Sequence, residues 1–243
     1  MADHEYGAAP AGREKVLLRA PFRHSRDLQA GIHPPCSRCP RAAWLAIAAL
    51  TLLTGCFRFG QPAPEIRSYR LDYPSPEVSG TALPVILRVP ALTVAAVYDR
   101  ESIVYRQDDY STAADFYDRW SANPGAMLAD LLARDLDASG LYRAVQHSPS
   151  MVPSDYQVTG EVEDIEERIT GGACSAHLHL RTLVLRVRAG KGDPVVMRET
   201  YNADEPCPCN DILALANAMS KAMQSISAKM QQAVYDAIRA DLR

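Results

Sequence analysis

Asp155 to Ile169 is the longest alternating run in the chain. Tyr156, Val158, Gly160 and Val162 face one way, and Gln157, Thr159, Glu161 and Glu163 the other. That period of two is the mark of a strand with one buried face. A strand this long confines the chain to a fold built around a sheet with a covering layer. Ala176 to Arg188 reads as a second long strand, but its phase slips. Leu178 and Leu180 lie on the even face, and Leu183, Leu185 and Val187 on the odd. A β-bulge near Arg181–Thr182 would restore one buried face. Gly190-Lys191-Gly192-Asp193 then reads as a hairpin turn. Val195, Met197, Glu199 and Tyr201 begin the last strand.

Two amphipathic helices supply the cover. Asn123-Pro124-Gly125 opens the first, over 124–139: Asn123 caps it, and Pro124 fits a first turn whose N–H groups have no helical partner. Met127, Leu128, Leu131, Leu132 and Leu136 form its apolar face, and Gly140 suits the left-handed residue at its end. The second runs from about Asn210 to Arg239. In it Ile212, Leu215, Met219, Met223, Ile226, Met230, Val234 and Ile238 recur at steps of three and four. That stripe packs on the sheet or, being rich in adaptable Met, faces in part a partner or lipid. Shorter strands come from Tyr69, Leu71 and Tyr73; from Val85, Leu87 and Val89; from Ser102 to Arg106; and from Tyr142 to Gln146. The expected fold is α+β: a single mixed or mostly antiparallel sheet, with both helices on one face. Leu128, Leu132, Val158, Val162, Leu185, Ile226 and Met230 are expected in the core.

The front of the chain is of a different kind. Arg38 and Arg41 precede the apolar run Ala42 to Leu52, and Leu53-Thr54-Gly55-Cys56 follows it. A basic flank, a short apolar core and small residues at the cut are the order of a secretory signal. The run is too short to span a bilayer, which takes about 20 residues. With a cysteine after the cut, the tetrapeptide resembles a bacterial lipobox. That implies cleavage before Cys56, diacylation of its thiol and acylation of its new amino group. Residues 1–55 are then leader and signal peptide, 56–67 a lipidated tether with Gly60, Pro62 and Pro64, and 68–243 the domain. In such lipoproteins Asp after the cysteine favours retention at the inner membrane. Phe57 stands there instead, so the outer membrane is expected, with the domain facing the periplasm.

Beyond residue 55 lie 19 of the 26 basic and 25 of the 29 acidic residues, a formal charge of −6. A mildly acidic domain argues against nucleic acid, whose binding relies on Lys and Arg neutralising phosphates. Catalysis has little support: there is no Gly-x-Ser-x-Gly elbow, no phosphate-binding loop and no His-Glu-x-x-His. Nothing calls for a cofactor. The one constellation with chemistry is Cys174, His177, His179, Cys207 and Cys209. Thiolate and imidazole suit zinc or copper. An exported chain instead favours a disulfide from Cys174 to Cys207 or to Cys209, leaving one spare thiol, with three free thiols as the remaining reading. The stretch Tyr110 to Trp120 reads as a polar-aromatic loop. Its Tyr110, Phe116, Tyr117 and Trp120 either cover the end of the sheet or anchor a partner.

Several phrases, in order, resemble the ABC-type transport auxiliary lipoprotein family, also called PqiC-like. They are Ser102-Ile103-Val104-Tyr105-Arg106; Trp120 before Asn123-Pro124-Gly125; Ser139-Gly140-Leu141-Tyr142-Arg143-Ala144-Val145; and Asp155-Tyr156 with Val158 and Gly160. The resemblance implies a non-enzymatic periplasmic lipoprotein working beside an ABC permease, its ATPase and an MCE-domain protein. Systems of that kind are linked to lipid traffic and membrane integrity. The long leader and the Cys/His cluster depart from the pattern. The alternative is an outer-membrane module that binds a metal or small ligand through the Cys/His set.

Overall fold

A computed structural model describes residues 65–108, 110–147, 152–188 and 194–243. Cys56, the expected signal peptide, nearly all of the expected tether and the hairpin turn expected at 190–193 lie outside the described residues. The described elements run in the order β1 (Arg67–Tyr69), β2 (Leu83–Arg88), β3 (Thr93–Val94), β4 (Ser102–Arg106), β5 (Thr112–Trp120), α1 (Pro124–Ala138), β6 (Tyr142–Gln146), β7 (Tyr156–Thr170), β8 (Ala173–Arg186), β9 (Val195–Cys207) and α2 (Ile212–Asp241). The fold is α+β, as expected, with nine strands in one mixed sheet.

β7 organises that sheet. One of its edges pairs antiparallel with β8 from Tyr156 to Thr170, and β8 pairs antiparallel with β9. Its other edge accepts three short parallel strands in succession: β2 at Tyr156–Gln157, β3 at Glu161–Val162 and β4 at Glu167–Arg168. The sheet therefore forks. β6 extends the β2 branch in parallel, while β5 and then β1 extend the β4 branch.

The bulge lies in β7 and not at Arg181–Thr182 of β8. Val162 pairs with Leu180 and Asp164 with His179, which leaves Glu163 as the extra residue. Before it the buried face is even-numbered, with Val158 and Val162; after it Ile165 is buried. β8 keeps one phase throughout, burying Ala176, Leu178, Leu180, Thr182 and Val184. Thr182 disguised this by placing a hydroxyl on the apolar face, where it contacts Met230 Sδ at 3.8 Å. Leu183 and Leu185 are only half-buried, on the other face, and Val187 is exposed. Leu185 is thus the one residue expected in the core that is not fully buried; the other six are.

Both helices pack on the face of Val158, Val162, Leu178 and Leu180. Asn123 Oδ1 caps α1 by accepting from Gly125 N at 3.0 Å, and Gly140 after its end has φ +64°. Leu215, Met219, Met223, Ile226, Met230, Val234 and Ile238 are all buried, so this Met-rich stripe belongs to the core. Each such side chain contributes roughly 1.5–3 kcal/mol by leaving water. Asp135 of α1 sits fully buried where the helices meet. It accepts from Tyr73 Oη and Ser75 Oγ at 2.8 Å, from Ser227 Oγ of α2 at 2.5 Å, and from Arg134. Two further expectations change. The first strand ends at Tyr69, although Leu71 and Tyr73 are buried beyond it. The stretch Tyr110 to Trp120 is largely strand β5, and Trp120 is a core residue.

Gly160 of β7 pairs with Thr182 of β8, and the two backbones leave no room for a side chain there. A Cβ there would stand 2.0 Å from the Arg181 carbonyl oxygen, and backbone cannot swing aside as a side chain can. Gly160→Ala is expected to cost about 1–3 kcal/mol, read as a lower denaturant midpoint. An unchanged midpoint would contradict this close approach.

Candidate functional site

Three places hold the residues picked out by the sequence. The first is the β4–β5 hairpin. Asp108 Oδ1 accepts from the Tyr110 and Ser111 amides at 2.8 and 2.7 Å, tying the turn. The Tyr110 amide, the Ser111 hydroxyl and the Ser111 amide together hold the Asp108 carboxyl below the usual carboxylate range. Further along β5 the ladder jumps: Val104 pairs with Ala114, but Ser102 pairs with Arg119. The excess residues bulge outward around Asp115, whose Oδ1 accepts from the Tyr117 and Asp118 amides at 2.7 and 2.8 Å. This bulge takes Phe116 and Tyr117 out of the ladder with β4. Tyr110 is 98 % exposed, Phe116 68 % and Tyr117 41 %, whereas Trp120 is 2 % exposed. The first three form a surface; Trp120 takes no part in it. Phe116 and Tyr117 meet edge to face at 5.1 Å, and the Arg119 guanidinium lies 5.9 Å from the Phe116 ring centre.

The second place is the face of the sheet away from the helices, where β7, β8 and β9 set charged groups side by side. Glu166, opposite His177, is buried. Its carboxylate accepts from Tyr98 Oη at 2.5 Å, Arg106 Nε at 3.2 Å and Arg168 Nε at 2.8 Å, and pairs with Arg106 Nη2 at 2.9 Å. Burial raises the Tyr98 phenol, and the Glu166 carboxylate raises it further. His177 Nδ1 lies 2.6 Å from Asp204 Oδ1, and His179 Nδ1 lies 3.3 Å from both Asp164 and Glu163. Tyr98, Asp164, Glu166 and Asp204 were not singled out from the sequence. The spacing of Asp164, Glu166 and Arg168 at steps of two was the available signal, since it puts all three on one face.

The third place is the cysteine cluster. Cys174 is joined to Cys209 by a disulfide with Cα atoms 5.2 Å apart, while Cys207 stands in register opposite Cys174 as a half-buried free thiol. Burial raises the Cys207 thiol above its ordinary range. Cys174 shares the helix side of β8 with Ala176 and Leu178, and the odd-numbered His177 and His179 project from the other side. The sheet therefore separates the thiols from the imidazoles. Among the described residues, no group of three or more His, Cys, Asp or Glu is placed to hold a metal ion.

Residues 69–231 match the family described as the ABC-type transport auxiliary lipoprotein component. Among solved structures, protein XCC0632 from Xanthomonas campestris, of the family DUF330, is 20% identical with a TM-score of 0.65. That match covers 72% of this chain and 98% of the Xanthomonas protein. A second crystal structure, of an uncharacterized protein, is 13% identical with a TM-score of 0.54, over 70% of this chain and 99% of the other. At these identities the likeness speaks for the fold. No curated protein matches the chain.

The polar face gives a stability test. Glu166→Ala would leave two guanidinium groups around an empty site and is expected to cost about 3–5 kcal/mol. Glu161→Ala removes an exposed carboxylate 2.5 Å from Arg181 and is expected to cost less than about 1 kcal/mol. Denaturant unfolding of both variants checks the contrast; equal, small losses would contradict the structural role of Glu166.

Proposed function

Because the chain belongs to the ABC-type transport auxiliary lipoprotein family, we propose that it is the lipid-anchored, non-catalytic accessory of a lipid pathway across the cell envelope. The observation that carries this reading is the family match over 69–231, more than half of the chain. In this reading Cys56 bears the acyl chains, the protein resides on the outer membrane, and residues 68–243 reach into the periplasm. There they dock an MCE-type partner served by an ABC permease and its ATPase.

Physical features support a role without chemistry. The polar groups that could serve a reaction are already engaged: Glu166 by two arginines and a tyrosine, Asp135 by three hydroxyls and an arginine, His177 by Asp204. Asp241, at the end of α2, is held below the usual carboxylate range chiefly by its hydrogen bond to Arg186. No described helix is long and apolar enough to cross a membrane. Membrane attachment is then the task of the acylated cysteine. Three chains at about 0.8 kcal/mol per buried CH₂ hold firmly where one is marginal. Docking asks for surface, not for a reactive group.

Affinity capture of the lipidated protein from membranes tests this reading, with its partners identified by mass spectrometry. Permease, ATPase and MCE subunits are expected with the parent chain. Cys56→Ser should leave an uncleaved or mislocalised precursor that recovers none of them from the outer-membrane fraction. Processed Cys56→Ser in that fraction would contradict the anchor. Capture without any transporter subunit, together with intact resistance to membrane-active compounds after gene deletion, would contradict the transport role.

A further inference from the structure

β1 runs parallel to β5, with Arg67 opposite Asp118 and Tyr69 opposite Trp120. β5 itself runs away from the hairpin turn that carries Tyr110. The chain entering β1 therefore arrives from the side of that turn, beside the bulge that carries Phe116 and Tyr117. Ile66, the residue before β1, is exposed there as well. Leu213, in the first turn of α2, is exposed on the same end of the domain. A groove of about 380 Å³ joins these parts, lined by Arg67, Asp115, Asp118, Asn210 and Ile212 among others. One end of the domain thus collects Ile66, Tyr110, Phe116, Tyr117 and Leu213, beside Arg67, whose exposed guanidinium is paired with Asp118 at 2.8 Å.

We propose that the aromatic hairpin end, with Tyr110, Phe116 and Tyr117 at its surface, rests on the lipid bilayer that holds the acyl chains. The length of chain outside the described residues favours lipid as the occupant. From Asp118 back to Ser111 is seven residues, at most about 23 Å of strand at ~3.3 Å per residue. From Cys56 to Arg67 is eleven residues, an extended reach of about 35–40 Å. That reach exceeds the length of the hairpin, so an anchor at Cys56 leaves both the turn and the Phe116–Tyr117 bulge free to lie against the bilayer. Side chains of this kind suit the site: Tyr rings and Arg are at home at the headgroup level, where one end of the side chain is apolar and the other wet. Phe116 adds a ring with no polar atom, flanked by Tyr117 and Arg119. A domain seated in this way turns the opposite end, with Arg186 and Asp241, away from the membrane and toward the periplasm.

This inference rests on the Cys56 anchor proposed above, and the test separates the two. The processed, lipidated protein carrying Phe116→Trp is purified from membranes. It is reconstituted into phosphatidylethanolamine and phosphatidylglycerol vesicles, with and without bromine on the acyl chains. The parent chain, with Trp120 in the core, is the reference. A variant that floats with the vesicles and loses its added emission to brominated lipid supports the proposal. A second variant, Tyr110→Trp, should be quenched in the same way. Flotation without quenching in either variant overturns the proposal and leaves the anchor standing. If that unquenched emission then shifts when the captured transporter partner is added, the hairpin contacts protein. Failure to float overturns the anchor and the proposal together.

Discussion

β7 has one long partner on one edge and three short ones on the other, and the rest of the domain depends on that arrangement. β2, β3 and β4 each pair with only two of its residues, all in parallel. Two-residue contacts of this kind would slip if β7 were free to move. Its antiparallel ladder with β8 prevents this, since shifting a strand by one residue would expose every buried side chain on it. The bulge at Glu163 lets one strand serve both branches, because it bends the ladder and changes the phase of the buried face. α1 and α2 then cover a single apolar surface that crosses the bulge, and the buried Asp135 cluster joins the two helices.

Much of this could be read from local pattern. The stripe on α2, the Asn123 cap, the Gly140 turn and the strands at 102–106 and 142–146 all follow from periodicity and capping. These features reveal themselves because each depends on residues close in sequence. The bulge was misplaced for a physical reason. Thr182 satisfies its hydroxyl against sulfur inside the core, and Leu183 and Leu185 occupy the other face only half-covered. Hydropathy therefore pointed to a change of face in β8 that the backbone makes in β7. β5 escaped notice because its ladder is interrupted around Asp115, and the exposed rings there spoil any alternation.

The candidate sites divide in the same way. That His177 and His179 share a face was legible from their spacing; that the sheet puts Cys174 on the other side followed from the same parity. Which groups neutralise Glu166 was not legible, since Tyr98 and Arg106 come from 68 and 60 residues away. Of the aromatic set, Trp120 went to the core while Tyr110, Phe116 and Tyr117 stayed outside, a division made by a tertiary bulge and not by composition. What emerges is a domain whose buried carboxylates are spent on neighbouring hydroxyls and guanidinium groups and whose exposed aromatic rings lie on the β4–β5 hairpin, beside the strand that opens the domain. That is a body suited to holding position between a membrane and a partner.

Such a role requires the two branches of the sheet to move as one, and native-state hydrogen exchange tests this most directly. If β7 ties them together, its amides on both sides of Glu163, from Tyr156–Val162 and from Ile165–Arg168, will exchange through the same opening, with equal free energy and equal denaturant dependence. Exchange of the Ile165–Arg168 amides through a separate opening of lower free energy would contradict the account.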